Sequence, residues 1–221
     1  MIFLVLLGAP GAGKGTQAAI LSERLDIPHV ATGDLFRAAV RERSAMGLEA
    51  RRYMERGQLV PDEITVQMLL ERLAQADAAQ GVILDGFPRT PAQAVALDTA
   101  LAEHDATVDH ALEIQVPFEE LVRRMSGRWI CAENGHVYNE VSHPPRVAGR
   151  CDLDDSPLLQ REDDKAETVR ARLDLQLGAL AEVSRHYDER GVLRTVDGRG
   201  SIEQVADELL AAIGPVTPGA A

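Results

Sequence analysis

Lys14 stands near the end of a glycine-dense stretch, Gly8-Ala9-Pro10-Gly11-Ala12-Gly13-Lys14-Gly15-Thr16. Glycines let consecutive backbone N–H groups turn towards one point, because no Cβ blocks the approach of an anion. A lysine adds a mobile full positive charge, and a helix starting there adds the partial charge of its N-terminus. The spacing matches G-x-x-x-x-G-K-[ST], a cradle for nucleotide phosphates, with one displacement: Gly15 takes the hydroxyl position and Thr16 follows it. A glycine-rich turn that binds nothing is the competing reading. The apolar strand before the loop, the lysine and the helix-forming residues after it argue together against that alternative.

The second group with chemistry in it is a carboxylate and a set of arginines. Asp85 closes the apolar run Val82-Ile83-Leu84, and Gly86-Phe87-Pro88-Arg89-Thr90 follows. An apolar strand ending in Asp is where nucleotide sites hold Mg²⁺, directly or through water. Taken singly, each arginine reads best as a solvated surface charge. The formal net charge of −12, however, disfavours general affinity for nucleic acid. A polyanionic ligand would therefore need arginines gathered in one cleft, whose planar forks match phosphate oxygens.

These residues need elements to hold them. The apolar run at 2–7 predicts a strand buried on both faces of a parallel sheet, and 17–25 a helix. Further strands are expected at 28–31, 82–85, 109–116 and 192–196. Helices are expected at 35–44 with Asp34 as N-cap, at 48–56, from 61 to about 79, from 91 to about 104, at 118–126, 161–189 and 202–213. Thr90 with Gln93, and Ser201 with Gln204, read as capping boxes. Between 127 and 160 no useful helix is predicted. A stretch of that length inside an α/β domain reads as a functional covering element.

At 221 residues the chain suits one sizeable domain with insertions. The apolar opening is too short to span a bilayer and lacks a basic flank, so neither anchor nor signal peptide is expected. Two cysteines, Cys131 and Cys151, are too few for a disulfide framework and point to a cytoplasmic setting.

Several stretches, in this order, resemble the adenylate kinase family in its long-lid bacterial form: 8–16, Thr32-Gly33-Asp34-Leu35-Phe36-Arg37, Gly57-Gln58-Leu59-Val60, 84–90, Arg124-Met125-Ser126-Gly127-Arg128, Arg161-Glu162-Asp163-Asp164 and Val169-Arg170-Ala171-Arg172. The resemblance runs from residue 1 to about 213. It implies a P-loop NTPase-like core (1–31, 61–127 and 161–213) with a five-stranded parallel sheet flanked by helices. It also implies a small helical AMP-binding insert at 32–60 and a β-rich lid at 128–160; beyond it, Gly214-Pro215 ends the last helix and 214–221 is expected to be a disordered tail. The implied activity is ATP + AMP ⇌ 2 ADP in a cytoplasmic monomer, with Mg²⁺ accompanying ATP and no nucleic acid or membrane partner.

By the same resemblance, Lys14, Arg89, Arg128, Arg161 and Arg172 would be the catalytic cations. Gly11, Ala12, Gly13, Lys14, Gly15 and Thr16 would hold the ATP phosphates, with Arg124, Arg128, Val137, Tyr138 and Gly200 completing the ATP site. Thr32, Arg37, Gln58, Leu59, Val60, Gly86, Phe87, Pro88, Arg89, Gln93, Arg161 and Arg172 would form the AMP site. Thr16 and Asp85 would meet magnesium through water.

Two departures stand out: Trp129 where the family commonly has Arg, and Gly200 where many members carry Lys. The lid is open to two readings. Family members with zinc hold it through C-x-x-C pairs, whose positions here are Cys131…Asn134 and Cys151…Asp154. Asn134 is a poor ligand and His136 a good one out of register, so Cys131, His136, Cys151 and Asp154 are one plausible tetrahedral set. A metal-free lid held by hydrogen bonds is the other. Two further functions stay in play: a nucleoside monophosphate kinase preferring UMP or CMP, and a sensing module that binds nucleotide without transfer.

Overall fold

The computed structural model describes residues 2–54, 60–140, 143–160 and 166–214. In chain order the first elements are β1 (Ile2–Leu7), α1 (Lys14–Leu25), β2 (His29–Ala31), α2 (Thr32–Arg41), α3 (Ala45–Met54) and α4 (Asp62–Leu73). A 3₁₀ turn (Ala76–Gln80) leads to β3 (Gly81–Asp85), α5 (Pro91–Ala102), β4 (His110–Gln115) and α6 (Phe118–Ser126). Then come β5 (Arg128–Cys131), β6 (Val137–Asn139), β7 (Leu158–Leu159), α7 (Ala166–Glu189), β8 (Leu193–Asp197) and α8 (Ile202–Ile213).

Five parallel strands in the order β2-β3-β1-β4-β8 make the main sheet. Alternation along β1 sends Phe3, Val5 and Leu7 to one face and Leu4 and Leu6 to the other. α1, α6 and α8 cover the Leu4/Leu6 face through Leu21, Leu121, Met125 and Leu209. The opposite face meets α4 and α5 through Leu69, Leu97 and Leu101. α7 serves both, with Val169 and Leu173 in the first layer and Val183 and Tyr187 in the second. Burial on both faces explains why β1 reads as an unbroken apolar run; cutting such a leucine to alanine costs about 2–5 kcal/mol.

Two smaller bodies interrupt this core. α2 and α3 pack around Phe36, Ala50 and Val60, with Ile64 and Met68 of α4 against them. β6-β5-β7 form a separate antiparallel sheet over Cys131, Tyr138, Cys151 and Leu158, with Trp129 alongside.

The sequence expectations need four adjustments. α1 begins at Lys14 rather than at 17, and α3 at Ala45 rather than at 48. α2 begins at Thr32, so Asp34 sits inside its first turn and is not its cap; the buried Thr32 hydroxyl donates to Gly86 O at 3.0 Å and sets the start through a tertiary contact. α4 stops at Leu73, not near 79, because Gln75 turns extended (ψ 148°). The Arg72 fork then meets both oxygens of Asp77, at 2.8 and 2.6 Å, pinning the 3₁₀ turn.

Candidate active site

Leu6 is paired with Asp85, so the glycine loop leaves β1 beside the carboxyl end of β3. Gly11 and Gly13 take φ of +83° and +99°, and a Cβ on Gly11 would stand 2.8 Å from Met125 Cγ. The left-handed dihedral and the close approach both require glycine there. Gly13 is the N-cap of α1 and offers no side chain to its first turn, in keeping with a helix N-terminus that serves an anion. Lys14 Nζ donates to Gly8 O at 2.8 Å and Ala9 O at 3.1 Å, folding the charge over the loop. Gly15 and Thr16 are exposed in the first turn of α1, while Ala12 is buried beneath the loop.

Asp85 is the neighbour that the loop shares with the next motif. Burial pushes its carboxyl pKa up, but the nearby His29 ring and the charges of Lys14 and Arg89 outweigh it and hold the pKa below the usual carboxylate range. His29 Nε2 lies 3.4 Å from Asp85 Oδ2, beyond a well-formed hydrogen bond.

On the far side of Asp85, Gly86 O collects the Thr32 hydroxyl and Arg89 Nε, the latter at 2.7 Å. Gly86 has φ +75°, and an added Cβ would lie 2.8 Å from Arg89 Nη2 and 3.2 Å from Thr32 Oγ1. The Phe87–Pro88 peptide is cis and both residues are buried, Phe87 in the core. Any contact of Phe87 with a ligand would therefore run through its backbone. Thr90 caps α5 by accepting the Gln93 N–H at 3.2 Å, but the reciprocal arm of the expected capping box is absent. The Gln93 Oε1 accepts from Arg89 N at 2.7 Å instead. Arg37 is paired with Asp34 on the exposed face of α2, and Val60 is buried at the foot of the helical insert. Gln58, Leu59 and Arg161 lie outside the described residues, as does the side chain of Arg172; its backbone is in α7.

At the other end, Arg124 Nη2 donates to Gly198 O at 2.9 Å and Nε to Glu120 at 2.8 Å, which brings the end of α6 to the turn carrying the exposed Gly200. Arg128 opens β5, paired in register with Asn139. Val137 is half exposed, whereas Tyr138 is 3% exposed inside the small sheet. The Tyr138 hydroxyl accepts from Asp152 N at 2.7 Å and lies 3.4 Å from Cys151 Sγ, so its side chain is not available to ATP. Trp129 packs on the same cluster and its indole N–H donates to Glu140, a packing role where the resemblance would put an arginine.

The small sheet brings Cys131, His136, Cys151 and Asp154 together, their ligand atoms all within 4.8 Å of one another. Cys131 Sγ lies 3.3 Å from Asp154 Oδ2, and His136 Nδ1 lies 3.2 Å from Cys151 Sγ and 3.5 Å from Asp154 Oδ2. A tetrahedron with bonds of about 2.0–2.3 Å has edges of about 3.3–3.8 Å; these three separations are close to that, and the donor types are those zinc takes. Asn134 takes the supporting place: its side chain donates to Asp154 Oδ2 at 2.6 Å and, with the Ser156 N–H, holds that carboxyl well below its usual pKa.

The sheet is tied to α6 by its own polar groups. Asn139 Nδ2 donates to Arg124 O at 2.9 Å, Gln160 Nε2 to Ser126 O at 2.7 Å and Glu140 N to Gly127 O at 2.9 Å. These satisfy carbonyls at the end of α6 that the helix cannot pair itself.

Three residues at the site were not singled out from sequence: His29, Asp62 and Glu120. Glu120 was within reach, since its i,i+4 spacing to Arg124 is a helix-surface pair. His29 and Asp62 meet their partners only through the sheet register and the α4–α5 packing.

The chain matches the family model described as "Adenylate kinase" over residues 6–192. It is 48% identical to an adenylate kinase of Exiguobacterium sibiricum over 211 residues, 96% of this chain and 98% of that one. An adenylate kinase of Staphylococcus aureus is 46% identical over 207 residues (94% and 96%), and one of Ruminiclostridium cellulolyticum 46% over 211 (96% and 99%). With the glycine loop, the Asp85 junction and the parallel sheet beneath them, matches of this extent leave one conclusion: the chain belongs to the adenylate kinase family, in its bacterial form.

Proposed function

We propose that this protein catalyses reversible transfer of the terminal phosphoryl group of ATP to AMP, giving two ADP. The observation that carries the reading is that the donor-phosphate loop and the acceptor motif flank Asp85: an added Cβ on Gly15 would lie 3.4 Å from Asp85 Oδ2, and Arg89 Nε donates to the next residue's carbonyl, Gly86 O, at 2.7 Å. The protein has little covalent chemistry to perform in such a transfer. It must bring the nucleotides into line and neutralise charge as it spreads onto the transferring phosphoryl oxygens.

Gly11 to Thr16 would wrap the donor phosphates with backbone N–H groups, and Lys14 would swing from the loop carbonyls onto them. Arg89 and Arg37, with Arg161 and Arg172, would hold the acceptor phosphate. Thr32, Val60, Gln93 and the 86–89 backbone would bound the AMP site, and Arg124, held by Glu120 and Gly198, would flank the donor base. Mg²⁺ enters with ATP as part of the substrate, with Thr16 and Asp85 reaching it through water. Residues 32–60 act as the AMP-binding insert and 128–160 as a lid whose Arg128 comes down on ATP. Closure would exclude water, which otherwise competes as acceptor.

In the lid, Cys131, His136, Cys151 and Asp154 hold a structural zinc in this reading. A buried cluster of four residues is a small core for a three-stranded sheet, and a metal staple is the usual remedy. A bound zinc would contribute folding free energy to the lid and take no part in the transfer. The protein works as a monomer on ATP, AMP and ADP. No helix among the described residues is long and apolar enough to cross a membrane.

A coupled assay of ADP formation from ATP with AMP, UMP, CMP or GMP as acceptor tests the reading. AMP should be used best. A preference for UMP or CMP would reassign the acceptor, and nucleotide binding without turnover would make the chain a sensor.

A further inference from the structure

Gln93 is 2% exposed, and its amide is held from both ends. Its Oε1 accepts from Arg89 N at 2.7 Å, and its Nε2 donates to Asp62 Oδ1 at 2.6 Å. A backbone N–H can only donate and an ionised carboxylate only accept, so the amide has a single orientation. Turned over, it would set oxygen against oxygen and N–H against N–H. Asp62 is itself fixed, because its other oxygen accepts from the Thr90 hydroxyl at 2.9 Å, and Thr90 Oγ1 in turn accepts from Gln93 N. The ring Asp62–Gln93–Thr90 is closed.

A plainer reading makes Asp62 an acidic first-turn residue complementing the dipole of α4. The geometry favours more than that. α4 has no side-chain cap, and both oxygens of Asp62 reach across to α5 rather than to the N–H groups of its own helix.

We infer that Asp62 is a positioning residue that locks the Gln93 amide and thereby sets the acceptor site's preference for a 6-amino over a 6-keto purine. A glutamine amide has two donor and two acceptor positions, and among the described residues one of each is used, so one donor and one acceptor remain for a base that reaches the nearly covered amide. Adenine offers N1 as acceptor and its 6-amino group as donor. Hypoxanthine offers the reverse, an N1–H donor and an O6 acceptor. With the phosphate held by arginines the base has one register, so a locked amide meets the first pattern and leaves polar groups unpaired against the second. This rests on the reading that places Gln93 at the acceptor base.

The test compares kcat/KM for AMP and IMP at saturating ATP. Asp62→Asn keeps size but can turn its Nδ2 towards Gln93, which weakens one of the two ties and leaves the amide held by the Arg89 N–H alone. The AMP-to-IMP ratio should fall by about threefold to tenfold, mainly through the KM for AMP, with the KM for ATP within about twofold of the unsubstituted protein. Glu63→Gln, which removes the neighbouring first-turn charge of α4, should leave the ratio unchanged. If Asp62→Asn does not fold, Asp62→Ser, too short to reach Gln93, is judged by the same ratio. Gln93→Leu separates the two layers of the inference. If it leaves the KM for AMP unchanged, the placement of Gln93 fails and the inference with it. If Gln93→Leu raises that KM while the Asp62 variants keep the ratio within about twofold, only the role of Asp62 is overturned.

Discussion

Gly86→Ala should separate backbone strain from lost chemistry at the acceptor side. Gly86 has φ +75°, where an alanine is disfavoured by about 1–2 kcal/mol; alanine's lower unfolded-state entropy returns about 0.4–1 kcal/mol. The net cost is about 1 kcal/mol, or about 2–4 °C in Tm for a chain of this size. The larger effect is steric. The new methyl would lie 2.8 Å from Arg89 Nη2 and 3.2 Å from Thr32 Oγ1, so the guanidinium has to swing away. Losing a charge-assisted contact to phosphate costs about 1.5–3 kcal/mol, which is about 10- to 150-fold in kcat/KM for AMP. Gly191 supplies the comparison, with φ +73° and nothing within 4 Å of an added Cβ. Gly191→Ala should lower Tm by a similar amount and leave turnover alone. Melting curves and initial rates over AMP and ATP, on both variants, make the measurement. If Gly86→Ala kept kcat/KM for AMP within about twofold, or raised only the KM for ATP, the placement of Arg89 at the acceptor phosphate would be wrong.

Lys14→Met should leave the Tm near its starting value, since no core atom is lost, while single-turnover transfer slows about a thousandfold or more; near-normal turnover would remove the loop from the mechanism. Elemental analysis of protein purified without added metal should find close to one zinc per chain, and chelator should impair ATP affinity far more than AMP affinity. Metal-free protein with full activity would place the lid among those held by hydrogen bonds. His110 should contribute a pH dependence to stability. Burial, aided by the charge of Arg194, lowers its pKa from 6.5, so on acidification the unfolded chain takes up the proton first. Its contribution is therefore present above about pH 6.5 and lost as pH falls towards the lowered value; His110→Gln should flatten that part of a denaturation series, and an unchanged slope would exclude His110 as the cause.

What could be read in the sequence follows the range of the interactions involved. β1 and the glycine loop are legible because burial on both faces demands an apolar run and the loop's dihedrals demand glycine. Cys131, His136, Cys151 and Asp154 could be proposed as a group from the zinc-pair positions of the family together with donor chemistry, yet only the turn at Gly135 (φ +72°) between β5 and β6 brings His136 to the cluster. The boundaries of α2 and α4 were misplaced because distant or side-chain contacts decide them: the Thr32 hydroxyl reaches Gly86, and Arg72 reaches Asp77 past the extended Gln75. Propensity reads Ala-rich residues 74–79 as helix and has no access to either contact. Asp62 was legible only as a helix-opening acid, since its partners sit on another helix.

The polar ties at the end of α6 bear on how the protein can be divided and recombined. Breaking the chain at 127 and 160 and inserting the corresponding segment of a relative looks natural from the topology. Yet the side chains of Asn139 and Gln160 pair the carbonyls of Arg124 and Ser126, so an exchange that brings other side chains to those positions removes groups that finish a helix belonging to the recipient. A part-buried carbonyl left without a partner costs at most about 1–3 kcal/mol and less where water reaches it, and the chimera would fray where Arg124 is anchored. The unit of exchange is larger than the sheet. A chimera that carries the last turn of α6 along with the segment should retain its stability, and the boundary of the module lies within a helix instead of in the loops beside it.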